Sequence, residues 1–372
     1  MKARSHSRRQ FIRTSALAAA SFPFVSSLTR SALAAEEPRK LGFCVVGLGG
    51  LSNGQIGPAL LKTKFGKITA VVTGHPEKAD RWKTSSGNPN LAVYSYDTMN
   101  KMADNPAIDV VYVVTPNALH AEHTIKSLQA GKHVYCEKPM ETSVEKCQQM
   151  IDAAKKANRM LGVAYRCQFD PNHLYCKQLV DQKTYGAIKT LDAGFGRGAP
   201  RPGEWRLDKA LAGGGPLMDV GIYALQTSRF IGGAEPIEVT GKEPPKTMPD
   251  RFTQIEESME WQAKFPNNYT ANCTCSYAGG AGRFKFTAEK GTFGLDPAYG
   301  YTGCRGTESD GTNTKPIAAV QGFDEFAAEM DDFAQCILNK KASKVSGEEG
   351  LRDVKIMLAI YESARTGKAV KL

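Results

Sequence analysis

The sequence predicts two architectures in series: an α/β half with a parallel sheet, then an α+β half with a large, mostly antiparallel open sheet. Two observations carry this reading. Over residues 36–166, short apolar runs alternate with segments of helical period, as strands buried on both faces require. Beyond residue 166 several runs alternate apolar and polar residue by residue, the mark of strands with one wet face. A chain of 372 residues suits two domains, and 41% apolar residues is an ordinary globular content.

The first segment stands apart from both halves. Ser7-Arg8-Arg9-Gln10-Phe11-Ile12-Arg13 precedes a weakly apolar run at 14–25, and Ala32-Leu33-Ala34 follows. A charged start, an apolar stretch and a small-residue cleavage pattern read as an export signal over residues 1–34. The paired arginines specify the twin-arginine kind, so the expected location is the periplasm. That export machinery carries folded proteins, which lets a cofactor be loaded before the chain leaves the reducing compartment. The apolar run is too short to span a bilayer, and no later stretch reaches ~18 consecutive apolar residues, so no stable membrane association is expected. Residues 1–34 hold six cations and no acid, so the formal net charge of +10 falls to +4 without them. The basic balance belongs to targeting and does not point to nucleic acid.

Strands are predicted at 41–46, 68–72, 110–114, 134–136 and 161–164, with helices at 118–130 and 144–157 between them. Thr142-Ser143-Val144-Glu145 reads as a capping box for the second helix. The first strand ends in Gly47-Leu48-Gly49-Gly50-Leu51-Ser52. Gly47-x-Gly49 after such a strand lets backbone approach a pyrophosphate at a helix N-terminus, which makes this half, residues 35–166, a Rossmann domain. Ser52 stands where a third glycine is usual. The second strand runs into Val71-Val72-Thr73-Gly74-His75, with Lys78 and Arg81 close behind. An NAD site places a carboxylate there for the ribose 2′-hydroxyl. A hydroxyl and cations suit a 2′-phosphate instead, and the nearest acid, Glu77, is expected inside the next helix. NADP is therefore expected over NAD.

Residues 167–372 form the second half. A Gly/Pro/Arg-rich loop at 194–215 leads into a helix at 216–231. Strands follow at 237–241, 258–265, 270–277, 283–288 and 292–296, and helices at 323–338 and 348–365 close the chain. Ser346-Gly347-Glu348-Glu349 reads as a second capping box. The nine cysteines include no C-x-x-C pair, and Cys273 and Cys275 share one face of a strand. Buried thiols are expected, and no metal site.

Ligands of such sheets bind beyond the carboxyl ends of the strands. Val114-Thr115-Pro116-Asn117 and Cys136-Glu137-Lys138-Pro139 emerge there. A lysine at that place either pairs with Glu137 to seal the strand end or hydrogen-bonds a substrate hydroxyl and stabilises a developing alkoxide. Asp219 and Tyr223, four apart on an apolar helix, share a face. They are either a core tyrosine with its cap or half of a catalytic group. A phenol is a poor base at neutral pH, and a nearby lysine cation is expected to lower its pKa.

The carriers of a wider likeness are the GLG turn at 47–49, TPNALHAE at 115–122 and AGKHVYCEKPMETSVEKCQQMIDAAKKAN at 130–158. Tyr165-Arg166, Trp205-Arg206, GGGPLMDVGIY at 213–223 and GEEGLRDVKIMLAIYESARTGK at 347–368 complete them. Together they resemble the Gfo/Idh/MocA oxidoreductases, and within that family its glucose–fructose oxidoreductase branch. The resemblance implies an active centre of Lys138, Asp219 and Tyr223, with Tyr223 as acid/base and Lys138 and Asp219 holding a sugar. It implies a cis peptide before Pro139. It also implies cofactor contacts at Gly47, Leu48, Gly49, Tyr96, Thr115, Asn117, His120, Glu137, Lys138, Arg166, Trp205, Arg206 and Tyr301, with Thr73, Gly74 and Lys78 around a 2′-phosphate. Two departures stand out. Only residues 35–40 occupy the place of that branch's long proline-rich arm, and the loop at 194–204 differs from the family pattern.

The activity expected from these features is an exported sugar oxidoreductase with retained NADP(H). It oxidises an aldose at C1 to the lactone and reduces a second sugar to the alditol by a ping-pong cycle. The alternative is an NAD-dependent glycosidase acting by transient ring oxidation and elimination. Small-molecule sugars are the expected partners. A homodimer or homotetramer is expected because an open sheet would otherwise expose apolar area.

Overall fold

The structure is a computed structural model that describes residues 39–372. The predicted signal segment lies outside the described residues. Strands β1 (Leu41–Val46), β2 (Gly66–Val72), β3 (Ala92–Tyr94), β4 (Val110–Val113), β5 (His133–Glu137) and β6 (Leu161–Ala164) form one sheet in the order β3-β2-β1-β4-β5-β6. Every pairing in it is parallel. All residues of β1 and β4 are buried, which explains their unbroken apolar runs. The order reverses between β1 and β4, and the crevice there is where a dinucleotide fold binds its ligand. Only β3, a short edge strand, escaped the sequence reading.

Helices α1 (Gly57–Leu60), α2 (Lys78–Ser86), α3 (His120–Gln129) and α4 (Val144–Ala157) connect these strands. The cap of α4 is Ser143, whose side chain accepts from the Lys146 N–H; Thr142 instead binds Glu141. The expected Thr142–Glu145 box is therefore not made, and a single cap one residue later takes its place. The Lys138–Pro139 peptide is cis, as the family resemblance implied.

After α5 (Pro171–Asp181) comes β7 (Ile188–Gly196), then α6 (Lys209–Ala212) and α7 (Ile222–Gln226). Strands β8 (Glu238–Lys242), β9 (Ser258–Lys264), β10 (Thr270–Ser276), β11 (Arg283–Ala288), β12 (Gly291–Leu295), β13 (Gly306–Ser309) and β14 (Thr314–Ile317) follow. Helices α8 (Glu325–Leu338) and α9 (Gly347–Thr366) and strand β15 (Val370–Lys371) end the chain. The second sheet has the order β14-β13-β12-β11-β7-β10-β9-β8-β15, antiparallel except for β7 with β10.

Strands β7, β13, β14 and β15 were not expected; the Gly194–Gly196 end of β7, central in that sheet, was read as the start of a loop. The close approach explains the glycine: a Cβ at Gly196 would meet the Gly279 carbonyl oxygen at 2.0 Å. The inner face of the sheet packs Leu191, Trp261, Cys273, Cys275 and Phe286 against the helices. The outer face carries exposed Asp192, Glu260, Gln262, Asn272 and Lys285 and a shallow depression of about 1480 Å³. It is polar, so the argument for oligomerisation from exposed apolar area does not hold.

The helix expected at 216–231 is present with a twist in its register. Residues Leu217–Gly221 and Thr227–Ile231 are π-helical turns on either side of α7. Such widened turns recur at functional sites. Helices α8 and α9 return to the first sheet: the Asp331 carboxylate accepts from the Lys64 and Phe65 N–H groups at 2.9 and 2.8 Å, and Val163 N–H donates to Val345 at 2.7 Å. Ser346 precedes α9, but its hydroxyl forms no cap bond, so the second capping box is not made. All nine cysteines are free. Among the described residues no helix is long and apolar enough to cross a membrane.

Candidate active site

A cleft of about 880 Å³ opens at the carboxyl ends of β1, β4 and β5 and is closed from the other side by α7 and the loop around Tyr301. Every residue that the sequence put forward lines it except Arg81. The glycine turn makes its near wall. Gly47 has φ +92°, and a Cβ there would meet the Val114 carbonyl oxygen at 2.7 Å, so only glycine fits. A Cβ on Gly49 or Gly50 would meet no atom within 4 Å; the bare backbone faces open space that a phosphate group can fill. Ser52, in place of a third glycine, is buried and donates its hydroxyl to the Gly47 carbonyl, tying turn to helix.

Beyond β2 the wall is Thr73, Gly74, His75 and Lys78, with no carboxylate. Thr73 Oγ1 accepts from the His75 N–H at 3.0 Å and shapes the turn. Glu77 lies at the N-cap of α2, not within it, and faces His75 at 3.3 Å outside the cleft. Arg81 does not reach the cleft wall either. The residues present therefore fit a nicotinamide dinucleotide.

Further along, Tyr96 stacks on His123 with centroids 5.0 Å apart, and Thr115 Oγ1 lies 3.1 Å from His123 Nδ1. His120, expected as a cofactor contact, has both ring nitrogens on backbone carbonyls: Nδ1 on Pro139 at 2.9 Å and Nε2 on Thr115 at 2.8 Å. It braces the Thr115 and Lys138 turns against each other and has no ring nitrogen left for a ligand. Asn117 likewise spends its amide on the Ala212 carbonyl, 2.9 Å away.

Lys138, Asp219 and Tyr223 meet where the halves of the cleft join. Lys138 Nζ donates to the Asp219 main-chain carbonyl at 2.6 Å, stands 3.9 Å from Asp219 Oδ1 and lies 4.8 Å above the Tyr223 ring. Asp219 Oδ2 accepts from Tyr277 at 2.9 Å and from Arg197 and Arg206 at 3.2 Å each. Burial alone would raise this carboxyl, but Arg206, Lys138 and Arg197 hold it at about 2. Burial lowers the Lys138 ammonium, and Asp219 and Glu137 oppose that.

The expectation for Tyr223 is corrected. Burial pushes its phenol well above the ordinary value, and the cation that opposes this is Arg166, not Lys138. Arg166 is buried and spends its guanidinium within the protein. It donates to the Tyr223 hydroxyl at 3.1 Å, to the Tyr299 carbonyl at 2.7 Å, to the Gly300 carbonyl at 3.1 Å and to Glu325. The same guanidinium lines the cleft and holds the Tyr223 hydroxyl in place. Tyr301 lies against the same guanidinium, 4.9 Å away, and Arg206 stacks on Trp205 at 4.4 Å.

Sequence reasoning missed Arg197, Tyr277 and Glu329. Arg197 sits in the Gly/Pro/Arg-rich loop that departs from the family pattern, so its composition was a signal; nothing in the linear pattern directs the Tyr277 hydroxyl to Asp219 or Glu329 into the cleft. Near the Tyr301 loop, ligand atoms of Asp170, His173 and Cys304 lie within 4.8 Å of one another. Asp170 is already engaged there, accepting from the Asn172 and His173 N–H groups at 3.0 Å and facing His173 Nδ1 at 2.9 Å.

The model of an oxidoreductase family with an NAD-binding Rossmann fold matches residues 41–165, and that of the GFO/IDH/MocA C-terminal domain matches residues 173–294. The chain belongs to the Gfo/Idh/MocA oxidoreductases. Aldose-aldose oxidoreductase from Caulobacter crescentus, solved with glycerol, is similar across the whole fold: 38% identical, TM-score 0.87, covering 90% of this chain and 100% of that one. D-xylose 1-dehydrogenase [NADP(+)] of Haloarcula marismortui is 29% identical over 336 residues, 89% of this chain and 92% of its own. D-glucoside 3-dehydrogenase of Escherichia coli is 27% identical over 290 residues, 71% of this chain and 79% of its own. As a Gfo/Idh/MocA protein, the chain couples its glycine turn and Lys138 through one parallel sheet, with Asp219 and Tyr223 supplied by the second half.

Proposed function

We propose that this chain is an exported, NADP-dependent sugar oxidoreductase, which oxidises an aldose at C1 to the lactone and reduces a second sugar to the alditol. The observation that carries this reading is the convergence of Lys138, Asp219 and Tyr223 in the cleft that also holds the glycine turn. The sugar substrates named for its relatives support it. Lys78 and the lack of a carboxylate beyond β2 support NADP over NAD. Export before use favours a retained cofactor recycled within the protein, hence a ping-pong order.

The bound nicotinamide supplies the hydride acceptor and donor. Lys138 has two ammonium hydrogens beyond the one given to the Asp219 carbonyl, and these bind the sugar oxygen and stabilise its alkoxide character. Asp219, ionised throughout, holds the ammonium and two guanidinium groups in place. In the reductive half, Tyr223 delivers its proton to the carbonyl oxygen of the second sugar, and Arg166 steadies the phenolate left behind. In the oxidative half, that phenolate takes the proton of the aldose hydroxyl. One hydride and one proton leave the first sugar and reach the second, so the cycle balances.

The test is to purify the protein without added nucleotide, identify what copurifies by mass, and follow its absorbance. Reduction by an aldose and reoxidation by a second sugar is the expected result. No reduction by any aldose sinks the reading, and release of an aglycone without net redox change establishes the glycosidase instead.

A further inference from the structure

The floor of the cleft holds two acids that the mechanism above does not use. Glu137, at the end of β5, and Glu329, on α8, both line it, 7% and 0% exposed. Between them stands Tyr112 of β4, whose hydroxyl lies 2.9 Å from Glu137 Oε1 and 3.2 Å from Glu329 Oε1. A phenol has one hydrogen, so it donates to one carboxylate only. With both acids ionised, the other contact would set lone pair against lone pair in a buried site, where an unmet polar contact is costly. One of the two acids therefore carries a proton.

The neighbours decide which. Glu137 faces two cations, Lys138 and Arg166, and its Oε2 accepts from the Lys138 N–H at 3.3 Å. Glu329 faces Glu137, Glu325, Tyr112 and Tyr135, with Asp332 beyond Tyr135. Tyr112 also stands closer to Glu137. Burial pushes both carboxyls up, Glu329 well above its ordinary value, while Lys138 and Arg166 pull Glu137 back. The remaining Glu329 oxygen, Oε2, accepts from Tyr135 at 3.1 Å.

We propose that Glu329 is a neutral carboxylic acid at physiological pH, the second link of a one-way hydrogen-bond chain from Tyr135 to Glu329 to Tyr112 to Glu137. Each hydroxyl hydrogen is used once, and the chain ends on an ionised Glu137 held beside Lys138. Glu329 is thus a positioning residue that reaches the site from the C-terminal segment. Its native proton is one that the unfolded chain releases above about pH 4.5, so it makes stability fall as pH rises. Glutamine reproduces the neutral acid, with its amide donating to Tyr112 and its carbonyl accepting from Tyr135.

The test uses the cofactor-free protein. Its infrared spectrum at neutral pH should show the carbonyl band of a buried protonated carboxyl, lost in Glu329→Gln. The thermal midpoint of Glu329→Gln should exceed that of the wild type by a margin that grows from about pH 5 to about pH 9, while Glu329→Ala lowers it at every pH. Calorimetric affinity for NADP should fall less steeply at alkaline pH in Glu329→Gln than in the wild type. A missing carboxyl band, a wild-type-minus-Glu329→Gln difference spectrum without one, or a pH-independent loss of stability in that variant overturns the proposal. Failure of sugar turnover would leave all of these readouts untouched, so the two readings fail separately.

Discussion

The Arg166 guanidinium donates from Nε to the Tyr223 hydroxyl at 3.1 Å and lies 4.7 Å from the centre of the same ring. It approaches the phenol from a buried ion pair with Glu325, at 4% and 3% side-chain exposure. The fork geometry matters, because the same group also binds two carbonyls of the Tyr299–Gly300 turn. A lysine offers a point charge and no such fork.

Replacing Arg166 should therefore damage fold and site together. Arg166→Ala leaves Glu325 buried without its cation, a change expected to cost about 3–5 kcal/mol. Burial already drives the Glu325 carboxyl up to about 7 with Arg166 in place. Adding Glu325→Gln should recover much of the stability but none of the Tyr223 alignment. Chemical denaturation and turnover, measured on both variants, separate the two effects.

Tyr223→Phe keeps the ring that packs 5.6 Å from Tyr299 and removes only the hydroxyl. Turnover should fall at least ~10²-fold, the usual worth of a positioned acid or base, with bound nucleotide unchanged by mass analysis. Wild-type turnover in this variant would remove Tyr223 from the mechanism.

Asp219→Asn deletes the carboxylate that opposes the desolvation of Lys138. The ammonium should then lose its proton sooner, and the alkaline limb of kcat/KM should move to lower pH. In the wild type, Asp219 stays ionised down to about pH 2, so its titration does not set the acid limb near neutrality. An unmoved alkaline limb would show that Lys138 is not the group titrating there.

Acid should weaken the first half of the molecule through its histidines. Burial holds His123 and His133 at about 4, against an ordinary 6.5. Between those values the unfolded chain takes up protons that the native state refuses. Stability is fully present above about pH 6.5, is lost as pH falls toward about 4, and levels below that. Thermal midpoints across this range check it; a flat profile would mean that these rings are already charged in the native state.

The dinucleotide half was legible residue by residue. Its strands are apolar throughout because both faces are buried, and Gly47, Lys138 and Tyr223 sit in motifs whose spacing encodes a turn, a strand end and a helix face. In the second half the alternating strands were legible, whereas β7 was not, because glycines needed for close approach to Gly279 look like loop residues in one dimension. His120 and Arg166 were found as cleft residues, but spacing cannot show that the His120 ring nitrogens face backbone carbonyls or that Arg166 binds Tyr223 and Glu325.

The order of apolar periods, the glycine turn and the placement of one lysine, one aspartate and one tyrosine are properties of the chain itself, because they depend on neighbours within a few residues. Which cation touches the Tyr223 hydroxyl, and which acid keeps its proton, depends on groups 57 and 217 residues apart in sequence. Those choices are electrostatic, and burial sets their strength, so only the folded arrangement of β4, β5, α7 and α8 decides them.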